Sequence, residues 1–171
     1  MSDEAQLQAE ERNRNRSRAS KDPAHLAYMG RGWADRDASE AAGTAEVAPF
    51  AAARRDDIAA RFPGKALVFY AGVSKQRSND TDYRFRPHSA FTHLTGWGSK
   101  AVPGSVLVIE ADAAGEIASE VLYLLPTAGH DSDEFFANPA IGEFWVGPRP
   151  DLAEVGQLLN IETRALAEFQ E

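Results

Sequence analysis

RSNDTDYRFRPHSAFTHLTGW, residues 77–97, mixes charged, aromatic and small side chains too densely for an ordinary core element. Asn79 and Asp80 stand in a Ser-Asn-Asp-Thr-Asp run that reads first as a turn. One reading of the stretch is structural: Arg77 and Arg86 pair with carboxylates, while Tyr83, Phe85, Phe91 and Trp97 fill a core. The other is functional, because a long polar and aromatic connection between two strands is where binding surfaces lie. Tyr, Trp and Arg are also favoured at interface hot spots. Both readings stand at this point.

Immediately before it, ALVFYA (66–71) is short, continuous and apolar, which predicts a central strand covered on both faces. A helix is predicted over 48–62, with Val47, Phe50, Ala51, Ile58 and Phe62 on its apolar face and Arg54, Arg55, Asp56 and Asp57 on the other. Pro63-Gly64 ends it. After the central stretch, 105–110 and 117–125 read as strands joined through a hairpin loop at Gly115, so they should pair antiparallel. Further on, Asp131 with Glu134 has the spacing of a helix cap before Phe135-Phe136, and Asp151 caps a helix whose apolar face is Leu152, Val155, Leu158 and Leu159. Residues 162–171 read as helical. Near the N-terminus, Asp22-Pro23 opens a short helix through Leu26, Met29 and Trp33, limited by Gly30 and Gly32. Strands beside amphipathic helices predict an α/β fold, a mixed β-sheet flanked by helices.

A chain of 171 residues, 43% hydrophobic and 26% charged, has the size and composition of one soluble globular domain. Its apolar runs are far shorter than the ~20 residues that span a bilayer, so no membrane partner is expected. Absence of cysteine excludes disulfides, thiol catalysis and cysteine-ligated zinc. The net charge of −8 repels a polyanion and argues against nucleic acid. Residues 1–21, in which Arg12, Arg14, Arg16 and Arg18 alternate with Asn and Ser, read as a flexible polar arm. An Ala-rich linker follows around 38–48. No secretory signal opens the chain, from which a cytoplasmic location is expected.

Chemistry-bearing clusters are few. His88 and His93 are five apart, a poor spacing for joint metal ligation. His130, Asp131, Asp133 and Glu134 are denser, but their spacing reads as a cap and a solvated loop. No G-x-S-x-G elbow or phosphate-cradling glycine loop occurs, and Gly30-x-Gly32 lacks the third glycine of a dinucleotide site. No catalytic and no metal-ligating residue is therefore assigned.

Arg77, Asn79, Asp80, Asp82, Tyr83, Phe85, Arg86, Ser89 and Phe91, closing with Leu94-Thr95-Gly96, resemble the N-terminal domain of Xaa-Pro aminopeptidase (aminopeptidase P), a family that includes the prolidases and creatinases. The apolar runs on either side, and Phe144-Trp145-Gly147 with Arg149, fit the same resemblance, which spans residues 45–171. It implies a ribonuclease-H-like arrangement over a domain at 22–171. It places hydrolysis in a C-terminal pita-bread domain, expected to be absent from this chain, where two Asp, one His and two Glu hold two divalent metal ions, here expected to be Mn. This chain by itself is then expected to hold no cofactor and to be inactive. Its implied partners are its own catalytic domain, further copies of itself and, in the full-length enzyme, proline-containing peptides.

Arg77, Asn79, Asp80, Tyr83, Arg86, Phe91, Thr92, His93 and Trp97 are the implied substrate-wall or interface candidates. Thr92 and His93 stand where bacterial relatives carry pocket-lining aromatics, and the aromatic pair is missing here. Phe91 and Trp97 read as core first and pocket second. The alternative reading is a stand-alone peptide- or protein-binding module of the same fold. A nuclease would need converging acidic residues, and Asp80 and Asp82 lie in the turn-like run.

Overall fold

The computed structural model describes residues 22–34, 43–79 and 81–169. Within them the chain runs α1 (Pro23–Met29), α2 (Ala48–Arg61), β1 (Ala66–Tyr70), β2 (Gln76–Ser78), β3 (Thr81–Asp82), α3 (Ser89–Thr95), β4 (Val106–Ala111) and β5 (Ile117–Leu124). It continues through α4 (Glu134–Ala137), α5 (Glu143–Val146), α6 (Leu152–Leu159) and β6 (Glu162–Ala165), then a 3-10 turn at Leu166–Glu168. The polar arm expected at 1–21 and residues 38–42 of the Ala-rich linker lie outside the described residues.

Four strands form a mixed sheet in the order β1-β4-β5-β6. β1 and β4 pair antiparallel, β4 and β5 form the expected antiparallel hairpin, and β5 and β6 run parallel after a helical crossover through α6. Asp112 builds the hairpin loop: its Oδ1 accepts from the backbone N–H of Ala114 and of Glu116. Gly115, with φ of 85°, lies where a Cβ would come within 3.0 Å of Ala60 Cα, so a side chain there would push the loop off α2.

Side-chain alternation divides the sheet into two faces. Leu67 and Phe69 of β1, Leu107 and Ile109 of β4, and Leu122 and Leu124 of β5 share the face that builds the core with Ala59, Phe91, Leu94, Val155 and Leu159 of α2, α3 and α6. The same register puts Glu120 opposite Ile109, so β5 carries a carboxylate on its core-facing side. The opposite face carries Val68, Tyr70, Val108 and Tyr123, with Phe169 laid against both tyrosine rings.

Several expectations are corrected. β1 is an edge strand with alternate residues exposed, not a central strand covered on both faces. The seam of α2 is Ala48, Ala51, Arg55 and Ala59, while Phe50 is 65% exposed and Phe62 is also exposed. Small residues win this contact because they let the helix approach the sheet, and Arg55 belongs to the seam because Glu120 waits beneath it. Residues 162–169 form a strand and a 3-10 turn, not a helix, since parallel pairing with β5 satisfies their backbone. At α4 the cap position is Asp133 rather than Asp131, and no side chain caps it.

Other local readings hold. Asp22 Oδ1 accepts from the N–H of Ala24 and of His25, and Gly30 closes α1. Asp151 and Glu154 form a reciprocal capping box at α6. Among the described residues no helix is long and apolar enough to cross a membrane.

Candidate functional site

The 77–97 stretch is a hairpin, an extended segment and a helix, not one long loop. β2 and β3 pair across Asn79, which takes the left-handed φ of 45° that a tight turn asks of it and that Asn tolerates. Gln76 donates its side-chain amide to the Asn79 carbonyl, bracing the turn. Beyond it, the N–H of Tyr83 donates to the Lys75 carbonyl at 2.9 Å, and the N–H of His88 donates to Ala71 at 3.0 Å. These two bonds bind the extended segment to the chain leaving β1.

α3 is anchored at its C-terminal end. Arg54 Nη1 donates to the His93 carbonyl at 3.0 Å, and Arg55 Nη1 donates to Leu94 at 2.9 Å. Two guanidinium groups thus meet the carbonyl end of the helix, where cations are favoured. Arg55 also holds Glu120 through two bonds, Nε to Oε2 at 2.6 Å and Nη2 to Oε1 at 3.0 Å. Gly96 ends α3 in the left-handed conformation (φ 72°), and its absent Cβ would stand 2.7 Å from Val47 Cγ1. Thr95 Oγ1 donates to Phe91 and accepts from the N–H of Trp97, which turns the chain inward.

Two adjoining clefts open on the extended segment. One, of about 410 Å³, lies among Ala71, Gly72, Lys75, Tyr83, Arg84, Arg86 and His88. The second, of about 370 Å³, lies across the 84–86 ridge and reaches Thr92, Gly98 and Ser99. Gly72 (φ 86°) is required at the first, since a Cβ would sit 2.8 Å from His88 Nε2. Arg84 Nη2 reaches Ser99 Oγ at 3.5 Å, joining the two clefts.

The candidate residues separate accordingly. Tyr83, 60% exposed, and Arg86 line the first cleft, and Arg86 and Thr92 line the second. Arg77 is exposed on β2, and no ion pair of Arg77 or Arg86 lies among the described residues. Asn79 shapes the turn; Asp80 lies outside the described residues. His93 is exposed and contributes its carbonyl to Arg54. Phe91 and Trp97 are buried in the core and reach neither cleft. Lys75, Arg84 and Ser99 are not among the sequence-based candidates, and His88 is considered there only as an unsuitable metal partner of His93. The available signal was Arg84, Arg86 and His88 at intervals of two in an extended segment.

The His130–Glu134 cluster does not converge. Glu134 pairs with the buried Arg149, and Ser132 Oγ donates to the Gly129 carbonyl. Arg149 also donates to the carbonyls of Pro126 and Ile141, so it ties α4 and α5 to the end of β5. Among the described residues no three His, Asp or Glu side chains come together as a metal would require. The chain's described residues therefore do not fit a metal centre.

Comparison with known proteins bears on this arrangement. The family model described as "Aminopeptidase P, N-terminal domain" matches residues 51–171. Xaa-Pro aminopeptidase 1 of Streptomyces coelicolor is 41% identical over 141 residues, which cover 82% of this chain and 27% of that protein. Xaa-Pro aminopeptidase 2 of the same organism is 41% identical over 138 residues, covering 81% and 28%. Among solved structures, aminopeptidase P from E. coli in a low-pH form aligns with a TM-score of 0.54 at 23% identity, over 72% of this chain and 26% of that one. Proline aminopeptidase P II from Yersinia pestis aligns with a TM-score of 0.52 at 26% identity, over 68% and 23%. The chain thus spans 27% of the length of the first of these curated relatives.

Proposed function

The chain belongs to the aminopeptidase P N-terminal domain family, and from that membership we propose that residues 22–171 are the accessory N-terminal part of a cytoplasmic, metal-dependent Xaa-Pro aminopeptidase. Hydrolysis of the bond before proline is assigned to a C-terminal domain that holds the divalent ions, Mn²⁺ by preference, and supplies a metal-activated water. This domain makes oligomer contacts, and its 77–97 stretch narrows the approach to an active site, its own or a neighbouring subunit's. Its residues position and exclude; none moves a proton.

One observation carries the assignment of that role to this stretch. Exposed Tyr83 and Arg86, with half-buried Thr92, flank two clefts on a framework that Arg54, Arg55 and Gly96 hold at several points. A rigid platform of this kind presents side chains to a partner at little ordering cost.

The test is hydrolysis of an Xaa-Pro peptide with Mn²⁺ by this chain and by a chimaera in which it replaces the matching portion of Xaa-Pro aminopeptidase 1. The chimaera should hydrolyse and the chain alone should not. In the chimaera, Thr92→Trp should raise KM for longer peptides more than it changes kcat. Turnover by the short chain alone sinks the proposal.

A further inference from the structure

Charge is unevenly distributed in this chain. Residues 72–100 hold Lys75, Arg77, Arg84, Arg86 and Lys100 against Asp80 and Asp82, a formal +3; the chain total of −8 leaves −11 on the rest. Although the sequence has 26 acidic residues, none of the described residues lining either cleft is Asp or Glu. The ion pairs seen among the described residues lie elsewhere: Arg55 with Glu120, Arg149 with Glu134, Arg164 with Glu162. Lys75, Arg84 and Arg86 line the first cleft together with His88, and no carboxylate is among the described residues that line it. Like charges held together in this way repel one another, and an anion placed among them relieves the repulsion.

We propose that the cleft among Lys75, Arg84, Arg86 and His88 is a carboxylate-binding site that takes an acidic stretch of a peptide. Two guanidinium forks and an ammonium supply the paired, charge-assisted donors that carboxylates accept. Tyr83 and the half-buried Phe85 add apolar wall for the peptide's other atoms. The floor is fixed, because the N–H of Gly104 donates to Gly72 at 2.8 Å and the N–H of His88 to Ala71 at 3.0 Å. A nucleic acid is disfavoured by the −11 on the remaining surface, which a long polyanion cannot avoid. The choice of a peptide as the carboxylate's carrier rests on the proposed role beside a peptidase site; the cationic cleft does not.

The experiment is calorimetric titration of this chain with Ala-Pro-Glu-Glu-Gly as free acid and as C-terminal amide, with Ala-Pro-Gln-Gln-Gly as free acid and as amide, and with inorganic phosphate. Any carboxylate-bearing form should bind more tightly than the neutral amide. The glutamate amide and the glutamine free acid separate side-chain from terminal carboxylate as the group recognised. Binding should weaken about tenfold or more as ionic strength rises from about 0.01 M to about 0.15 M, where screening shortens from about 30 Å to about 8 Å. The double variant Arg84→Ser, Arg86→Ser should lose at least about tenfold in affinity with an unchanged melting curve. Equal binding of the neutral amide, acidic-peptide affinity indifferent to that variant, or tighter binding of phosphate overturns the proposal. So does sedimentation showing self-association that the Arg84→Ser, Arg86→Ser variant abolishes, since a second copy would then fill the cleft. Because the binding assay needs no catalytic domain, its failure is distinct from failure of the chimaera to hydrolyse.

Discussion

Replacing Arg55 with leucine tests whether a charge pair, and not apolar area alone, fixes the helix layer to the sheet. Arg55 is 1% exposed and makes two bonds to Glu120 and one to the Leu94 carbonyl. Leucine restores apolar volume but leaves Glu120 on the core-facing side of β5 without its counter-charge, and Leu94 without its donor. Breaking a buried pair costs about 3–5 kcal/mol. The Glu120 side chain is 26% exposed and recovers some hydration, so Arg55→Leu should cost about 3 kcal/mol, the low end. For a chain of this length that lowers Tm by about 6–12 °C. Glu120→Leu alone should cost about as much, because it strands a buried guanidinium. The double variant removes both charges and should lose only about 1–2 kcal/mol, for the unpaired carbonyl and imperfect packing. Urea unfolding measures all three as shifts in midpoint at constant slope. A single variant within about 1 kcal/mol of wild type, or a double variant as unstable as the two singles summed, refutes the reasoning.

Gly96→Ala should cost about 2 kcal/mol or more, from the left-handed backbone and the contact with Val47, and Val47→Ala should restore part of it in chemical denaturation. Asp151→Ala removes the capping box of α6 and should lower stability by about 1 kcal/mol, read from the denaturation midpoint. Gly30→Val places a side chain where a Cβ would lie 2.5 Å from the His130 carbonyl oxygen. Since α1 buries no residue of its own, it should lift away, and tryptic cleavage after Arg31 should accelerate about tenfold while the main unfolding transition stays in place.

The candidate site was partly legible. Asn79 announces its turn, and the density of polar and aromatic groups over 77–97 is plain in the sequence. What escaped was the division of labour within it. Phe91 and Trp97 read as core first and are buried there, but the linear sequence gives no sign that Tyr83, equally aromatic and in the same stretch, is the one left exposed. Lys75 and His88 are thirteen residues apart and meet across one cleft because backbone bonds fold the extended segment against the end of β1.

Local chemistry is what a sequence carries openly. Asp22 before Pro23, Asp112 and Gly115 in a hairpin, and Asp151 with Glu154 each act on neighbours within a few residues, so the helix ends and the β4–β5 turn follow from their spacing alone. Partners distant in the chain are another matter. Whether ALVFYA is a central or an edge strand depends on how many strands pair with it, which nothing inside the segment records. Arg55 looked like a solvated charge until the sheet register placed Glu120 under it, 65 residues away. The ETRA segment at 162–165 became a strand because β5 had an unpaired edge to offer, and backbone groups with a partner at hand outweigh the weak helical preference of a short segment.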